Sequence, residues 1–115
     1  MDINKLINHQ NLEEIKEFID WNKVVEYYHL PEAFAEKYLN FLPQREVMRN
    51  NKFSEEFLER NKDRLTWYYV CRFQTLSEEF IERHADRITD WDCVLNNQNL
   101  SKTFKEKHRS KRRRL

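Results

Sequence analysis

The chain has 115 residues, which is the usual length of one domain. It contains no glycine, and this excludes the glycine-rich loops that hold phosphate groups and dinucleotides. The formal net charge of +1 is unevenly distributed: from Ser101 onward eight basic residues and one acid give +7, whereas 13 basic and 19 acidic residues before it give −6.

A repeat of 23 or 24 residues runs through nearly the whole sequence. Each full copy opens on an apolar residue, and a phenylalanine follows four positions later. The opening residues are Leu30, Phe53, Leu76 and Leu100, and the phenylalanines are Phe34, Phe57, Phe80 and Phe104. The copies span about 6–29, 30–52, 53–75, 76–99 and 100–109. We expect one helical-repeat domain over 1–109, in which each copy buries its apolar face on its neighbours.

Each copy predicts two short helices. Ser77 is a good N-cap for the first helix, and Glu78 and Glu79 favour its first turn. Asp90 precedes the second helix, in which the apolar residues fall at the spacing of one helical face. We therefore expect an all-α fold without sheet, a compact solenoid-like array of about seven to nine short helices. Its core is predicted to include Phe57, Val70, Phe80 and Val94.

No catalytic, cofactor-binding or metal-binding constellation emerges from the sequence. Glu26 and His29 have the spacing of one helical iron-binding motif, but such sites need two motifs and further glutamates. His84 and His108 share their repeat position with Asn61 and Tyr38, which favours a polar role at a helix end over a ligand or base. We expect no enzymatic activity and no cofactor.

Several recurring residues have a structural and a functional interpretation. Tryptophans recur at one repeat position, where core packing is favoured over a partner-binding stripe. Glutamates recur at another, each followed by a basic residue, and a solvated face with weak ion pairs is favoured over an acidic strip that imitates DNA. Recurring Asp-Arg pairs are expected to tie together the two helices of one copy. These residues are Trp21, Trp67 and Trp91, then Glu36, Glu59, Glu82 and Glu106, and finally Asp63-Arg64 and Asp86-Arg87.

The two cysteines are predicted not to form a disulfide. Cys71 shares its repeat position with apolar residues and is expected to be buried, whereas Cys93 shares its position with polar residues and is expected to be more exposed. The chain has no CxxC motif and no apolar run long enough to span a membrane, and the residues MDINKLINHQ at its start do not predict a signal peptide. We expect a protein of a reducing cytoplasm without membrane contact.

The candidate binding residues are those that differ in character from most of the residues at the same repeat position in the other copies. Aromatic side chains stand at positions that are polar in most other copies, and such side chains are favoured anchors in protein interfaces. These residues are Tyr27, Tyr68, Tyr69 and Phe73. Because adjacent helical residues point about 100° apart, Tyr68 or Tyr69 should face solvent. Local packing against the next copy is the alternative.

The basic C-terminal segment is the second candidate site. Its residues could contact a phosphate backbone, bind an acidic protein, or remain a solvated terminus. We expect residues 110–115 to be a disordered tail. The residues concerned are Lys105, Arg109, Lys111, Arg112, Arg113 and Arg114.

The fourth copy, LSEEFIERHADRITDWDCV, resembles a short helical repeat of uncharacterised proteins from bacteriophages and large DNA viruses. The resemblance covers nearly the whole chain and is most specific in the third and fourth copies. The first copy is truncated, and the second has Gln44 or Arg45 in place of the tryptophan. The resemblance implies a viral origin and an all-helical repeat fold, but it carries over no catalytic residue.

The resulting functional hypothesis is a non-enzymatic viral interaction module that binds a protein or a ribonucleoprotein in the host cytoplasm. Small phage proteins without enzymatic motifs are often stoichiometric inhibitors of host defence, such as anti-CRISPR proteins. By this analogy, which is not a motif match, such an inhibitor is one concrete form of the hypothesis. The alternative is a virion or nucleic-acid-associated structural protein that uses its basic tail. The oligomeric state is left open.

Overall fold

A computed structural model describes residues 16–97 and 99–111. Within these ranges the chain forms eight α-helices and no strand, which confirms the all-α prediction and the expected helix number. The helices are α1 (Trp21–Tyr27), α2 (Glu32–Lys37), α3 (Gln44–Asn50), α4 (Glu55–Arg60), α5 (Trp67–Phe73), α6 (Glu78–Arg83), α7 (Trp91–Asn97) and α8 (Lys102–Lys107). Short 3₁₀ turns cover Lys16–Phe18, Ala85–Arg87 and Arg109–Lys111.

Helix length alternates between the two helices of a copy. The first helices have six residues and the second helices have seven. No helix in the described ranges is long and apolar enough to cross a membrane. Helices of this length are unstable alone in water, so mutual burial must stabilise them.

The described residues form two compact units that meet in sequence between Phe53 and Ser54. The first unit contains α1 to α3, and α1 packs against α3. The second unit contains α4 to α8, and α5 packs against α7. In each unit the second helices of successive copies therefore lie side by side. The stacking of all copies into one solenoid stays a prediction.

The helix starts are encoded by the repeat. Ser54, Ser77 and Ser101 each accept a hydrogen bond from the backbone N–H of the phenylalanine three residues later, at 3.1, 3.1 and 3.2 Å. Asp20 and Asp90 cap α1 and α7 in the same way. Thr66 makes no side-chain hydrogen bond of this kind before α5. The predicted serine and aspartate caps are confirmed.

The apolar face of each helix pair forms the core. Phe57, Val70, Phe80 and Val94 are all fully buried, as predicted. The three tryptophans are also buried. The indole N–H of Trp67 donates to the carbonyl oxygen of Lys62 at 2.9 Å, so its polar atom is satisfied within the core. Core packing, rather than a partner-binding stripe, is thus the role of the recurring tryptophan.

A ring at the end of the next first helix covers each tryptophan. Trp67 stacks on His84 with ring centroids 4.9 Å apart, and Trp91 stacks on His108 at 4.7 Å. In the first unit Trp21 stacks on Tyr38 at 5.2 Å. These rings belong to the C-cap residues of α6, α8 and α2. The predicted role of the two histidines at helix ends is confirmed, and their rings also pack in the core.

Carboxylates join the copies of the second unit. Glu55 accepts hydrogen bonds from the backbone N–H and the hydroxyl of Ser77, at 2.6 and 3.0 Å. Glu78 does the same for Ser101, at 3.0 and 2.9 Å. The first residue of one helix thus fixes the N-cap of the next copy, and this contact recurs with the repeat.

The recurring glutamates form a second series of contacts between copies. Glu59 Oε2 lies 2.5 Å from Nε2 of the buried His84, and Glu82 Oε1 lies 2.6 Å from Nε2 of His108. Lys107 is 3.0 Å from the same Glu82 oxygen. Hydrogen bonds from His108 and then Lys107 lower the pKa of Glu82. Glu59 and Glu82 are thus partly exposed and form ion pairs, as the sequence predicted, and each one also lies against the histidine of the following copy.

The recurring Asp-Arg pair also has a different role from the predicted one. Arg87 Nη2 donates to Asp63 Oδ1 at 2.7 Å, which connects the fourth copy to the third rather than two helices of one copy. Arg64 instead donates to Asn61 Oδ1 at 3.0 Å within its own copy.

Neither cysteine forms a disulfide, as predicted. Cys71 is buried and Cys93 is half-buried. Burial, with smaller contributions from nearby Cys93 and Asp90, raises the pKa of the Cys71 thiol to about 12.

Candidate interaction surface

Helix α5 has the sequence WYYVCRF and carries three of the predicted binding residues. Its buried side chains are Trp67, Val70 and Cys71, at relative positions i, i+3 and i+4. Since this spacing occupies one side of a helix, Tyr68 and Arg72 are directed away from the core. Both residues are exposed, and 41% of the Tyr68 surface is accessible to solvent.

Four side chains of α5 contact one another on the outer side of the helix. Tyr68 meets Tyr69 edge to face, with ring centroids 5.7 Å apart. Arg72 Nη1 donates to the Tyr68 hydroxyl oxygen at 3.4 Å, and the guanidinium carbon lies 5.6 Å from the centre of the Phe73 ring. We call Tyr68, Tyr69, Arg72 and Phe73 the α5 cluster. Tyr69 and Phe73 are half-buried, so part of their surface is used in packing.

Sequence reasoning missed Arg72. Two features of the sequence could have indicated it. An arginine four residues after a tyrosine lies beside it on a helix, and the next residue, Phe73, is an aromatic at a repeat position where two of the other three copies have asparagine. Arginine also stacks on aromatic rings and is favoured in protein interfaces.

The fourth predicted anchor, Tyr27, is the last residue of α1 and lies in the first unit. It is 65% exposed. Phe18, in the 3₁₀ turn before α1, is 86% exposed and was not predicted as a binding residue. No repeat pattern marks Phe18, because it lies in the shortened first copy.

The basic candidates lie at the end of the described chain. Lys105 is exposed in α8, and Arg109 is exposed at the start of the following 3₁₀ turn. Ser110 and Lys111, which were assigned to the tail, complete that turn. Arg112, Arg113 and Arg114 lie outside the described residues. A cleft beside α8 is lined by Leu95, Lys102, Lys105, Glu106 and Arg109.

A second cleft, of about 580 Å³, is lined by residues of α6 and α8. Several of its polar side chains already bind one another, because Glu78 binds Ser101 and Glu82 binds His108 and Lys107. Across the described ranges, no three His, Cys, Asp or Glu side chains group closely enough to hold a metal ion. The α5 cluster is therefore the strongest candidate site in the structure.

No protein-family model, curated protein or solved structure matches the chain. Its function must consequently be inferred from the chain's own residues.

Proposed function

We propose that the chain is a non-enzymatic interaction module that binds a protein or a ribonucleoprotein through exposed aromatic side chains. In its most concrete form it is a viral protein that inhibits a host defence complex in the host cytoplasm. The observation that carries the proposal is the α5 cluster, where Tyr68 remains exposed on a helix whose other side is fully packed.

Exposed aromatic side chains are uncommon in this structure. Among the described residues, the large hydrophobic side chains that are clearly exposed are Phe18, Tyr27 and Tyr68. At the repeat position of Tyr68 the other copies have polar residues, namely Asn22, Arg45 and Asp92. The fold thus has no need of an aromatic there, whereas tyrosine in a partly desolvated contact is a frequent binding anchor.

The double substitution Tyr68→Ala, Tyr69→Ala tests the proposal. We expect it to weaken partner binding by about 1–3 kcal/mol. The loss of fold stability should be modest, because Tyr68 is exposed and only part of the Tyr69 surface is used in packing. The tagged chain is used for affinity capture from host extract, and the retained proteins are quantified by mass spectrometry. Asn22→Ala, Lys23→Ala is the matched control, since these exposed residues hold the same repeat positions in α1.

The capture experiment has three possible outcomes. A defined protein retained by the wild type and the control, but depleted from the tyrosine variant, supports the proposal. Equal retention by all three chains shows that the α5 cluster is not the contact. If bulk nucleic acid or virion components are retained instead, the interaction-module hypothesis is wrong.

The alternative is a virion or nucleic-acid-associated structural protein. It is favoured by the exposed Lys105 and Arg109 beside the basic C-terminal segment. Contacts of this kind release counterions, so binding should weaken steeply as the salt concentration rises. Substituting Arg112, Arg113 and Arg114 by alanine should then reduce nucleic-acid binding and flatten its salt dependence. Unchanged binding in that variant would contradict this alternative.

A further inference from the structure

The uncompensated charge in the α5 cluster points to the chemistry of the partner. Arg45, Arg83 and Arg87 each lie within ion-pair distance of a carboxylate of this chain. Arg72 has no such carboxylate among the residues that the structure describes; its contacts there are the Tyr68 hydroxyl and the Phe73 ring. A positive charge thus remains available on the surface of an otherwise acidic body.

The contacts of Arg72 also favour one orientation of its guanidinium group. One nitrogen donates to Tyr68, and the ring of Phe73 lies beside the guanidinium carbon. A planar guanidinium held in this way still has N–H groups that can donate in parallel to the two oxygens of a carboxylate. Holding the side chain before binding reduces the conformational entropy that is lost on association.

We propose that the α5 cluster docks an acidic segment of a protein partner, with a carboxylate bound to Arg72 and an apolar neighbour packed on Tyr68. This inference rests on the proposed interaction function and specifies the partner's chemistry. The single charge of a carboxylate matches the single cation in the cluster, whereas a phosphate monoester carries nearly two negative charges at neutral pH. An Asp or Glu side chain is therefore the ligand that the charge of the cluster fits best.

Selection from a phage-displayed library of short random peptides tests the proposal directly, because it requires no identified partner. The wild-type chain should enrich peptides in which Asp or Glu stands next to an aliphatic or aromatic residue. Arg72→Gln and Arg72→Glu should bind a synthetic peptide of this type roughly tenfold more weakly or worse. Replacing the acidic residue of the peptide by its amide should cause a similar loss. Thermal melts of the variants should match the wild type, because Arg72 is exposed.

Arg49→Glu is the matched control, since Arg49 is exposed at the same repeat position in α3. It makes the same change in charge and should leave peptide binding within about twofold of wild type. The inference is overturned if no acidic peptide is enriched, or if the Arg72 variants bind as well as the wild type. The proposed function fails separately, namely when the tyrosine variant captures the same proteins as the wild type.

Discussion

Phe80 illustrates how a single residue of the repeat stabilises its copy. It is fully buried and packs against Trp67 at 5.9 Å and His84 at 4.6 Å, measured between ring centroids. Its backbone N–H also donates to the capping hydroxyl of Ser77. One phenylalanine therefore links the start of α6, the end of α6 and the second helix of the preceding copy.

We expect Phe80→Ala to reduce the free energy of unfolding by about 3–5 kcal/mol, because it removes a buried ring and leaves a cavity. Chemical denaturation followed by circular dichroism measures the loss. Phe18→Ala is the control, since Phe18 is 86% exposed and its removal should cost little. A denaturation curve of Phe80→Ala that overlies the wild type would contradict the assignment of this repeat position to the core.

The two thiols should differ in reactivity. A thiolate, not a thiol, attacks alkylating and disulfide reagents. With its pKa raised to about 12, the buried Cys71 is almost entirely protonated at neutral pH. A titration of native protein with a disulfide reagent should therefore show one fast thiol, assigned to the half-buried Cys93. Cys93→Ser should abolish the fast phase and Cys71→Ser should preserve it; two thiols reacting at one rate would contradict the structure.

At the scale of the element, the second unit is connected by contacts that recur with the repeat. Glu55 and Glu78 bind the N-cap serines of the following copies, and Glu59 and Glu82 lie against the following histidines. The first helix of each of these copies is thereby contacted at both ends by the first helix of the preceding copy. These contacts help to explain how first helices of only six residues can be stable in the folded chain.

We expect Glu82 to make the stability of the junction between α6 and α8 depend on pH. Its folded-state pKa is lowered by His108 and Lys107. A lowered carboxyl pKa contributes stability above the unfolded value of about 4.5, and this contribution is lost as the pH falls through the folded value. Glu82→Gln should therefore lower the melting temperature at neutral pH, and the difference from wild type should disappear in strongly acidic buffer.

Glu106→Gln is the control for this prediction. Glu106 has the same repeat position in the last copy, but it is exposed. Its substitution should leave the melting temperature unchanged at every pH. An effect of Glu82→Gln that persists at low pH would show that Glu82 stabilises the junction by something other than its charge.

The helices and the core could be predicted from the sequence, because capping serines, apolar spacing and the repeat all act locally. The contacts between copies could not. Glu59 looks like an ordinary surface glutamate until the next helix places His84 against it, and Asp63 gives no sign that its partner is Arg87. The aromatic residues of α5 could be predicted because they differ from the residues at the same repeat positions in other copies. Arg72 could not be predicted in this way, because its place in the α5 cluster comes from its neighbours Tyr68 and Phe73 and not from its own repeat position.

At the scale of the whole molecule, the repeat explains which positions are free to serve binding. Positions that face the core or the next copy are constrained by packing, and they keep similar residues from copy to copy. Outer positions of the second helices are not constrained in this way, so they can differ between copies without loss of the fold. The cluster on α5 is a local change of this kind.

Site-specific photo-crosslinking tests the central claim most directly. A photoreactive phenylalanine analogue replaces Tyr68 in the full chain, and a second protein carries the analogue at Asn22, the exposed residue at the same repeat position in α1. After irradiation in host cells, we predict that position 68 crosslinks to one defined protein and that position 22 does not. A third protein carries the analogue at Arg109. Crosslinks from position 109 to nucleic acid, with none from position 68 to a protein, would contradict the proposed function.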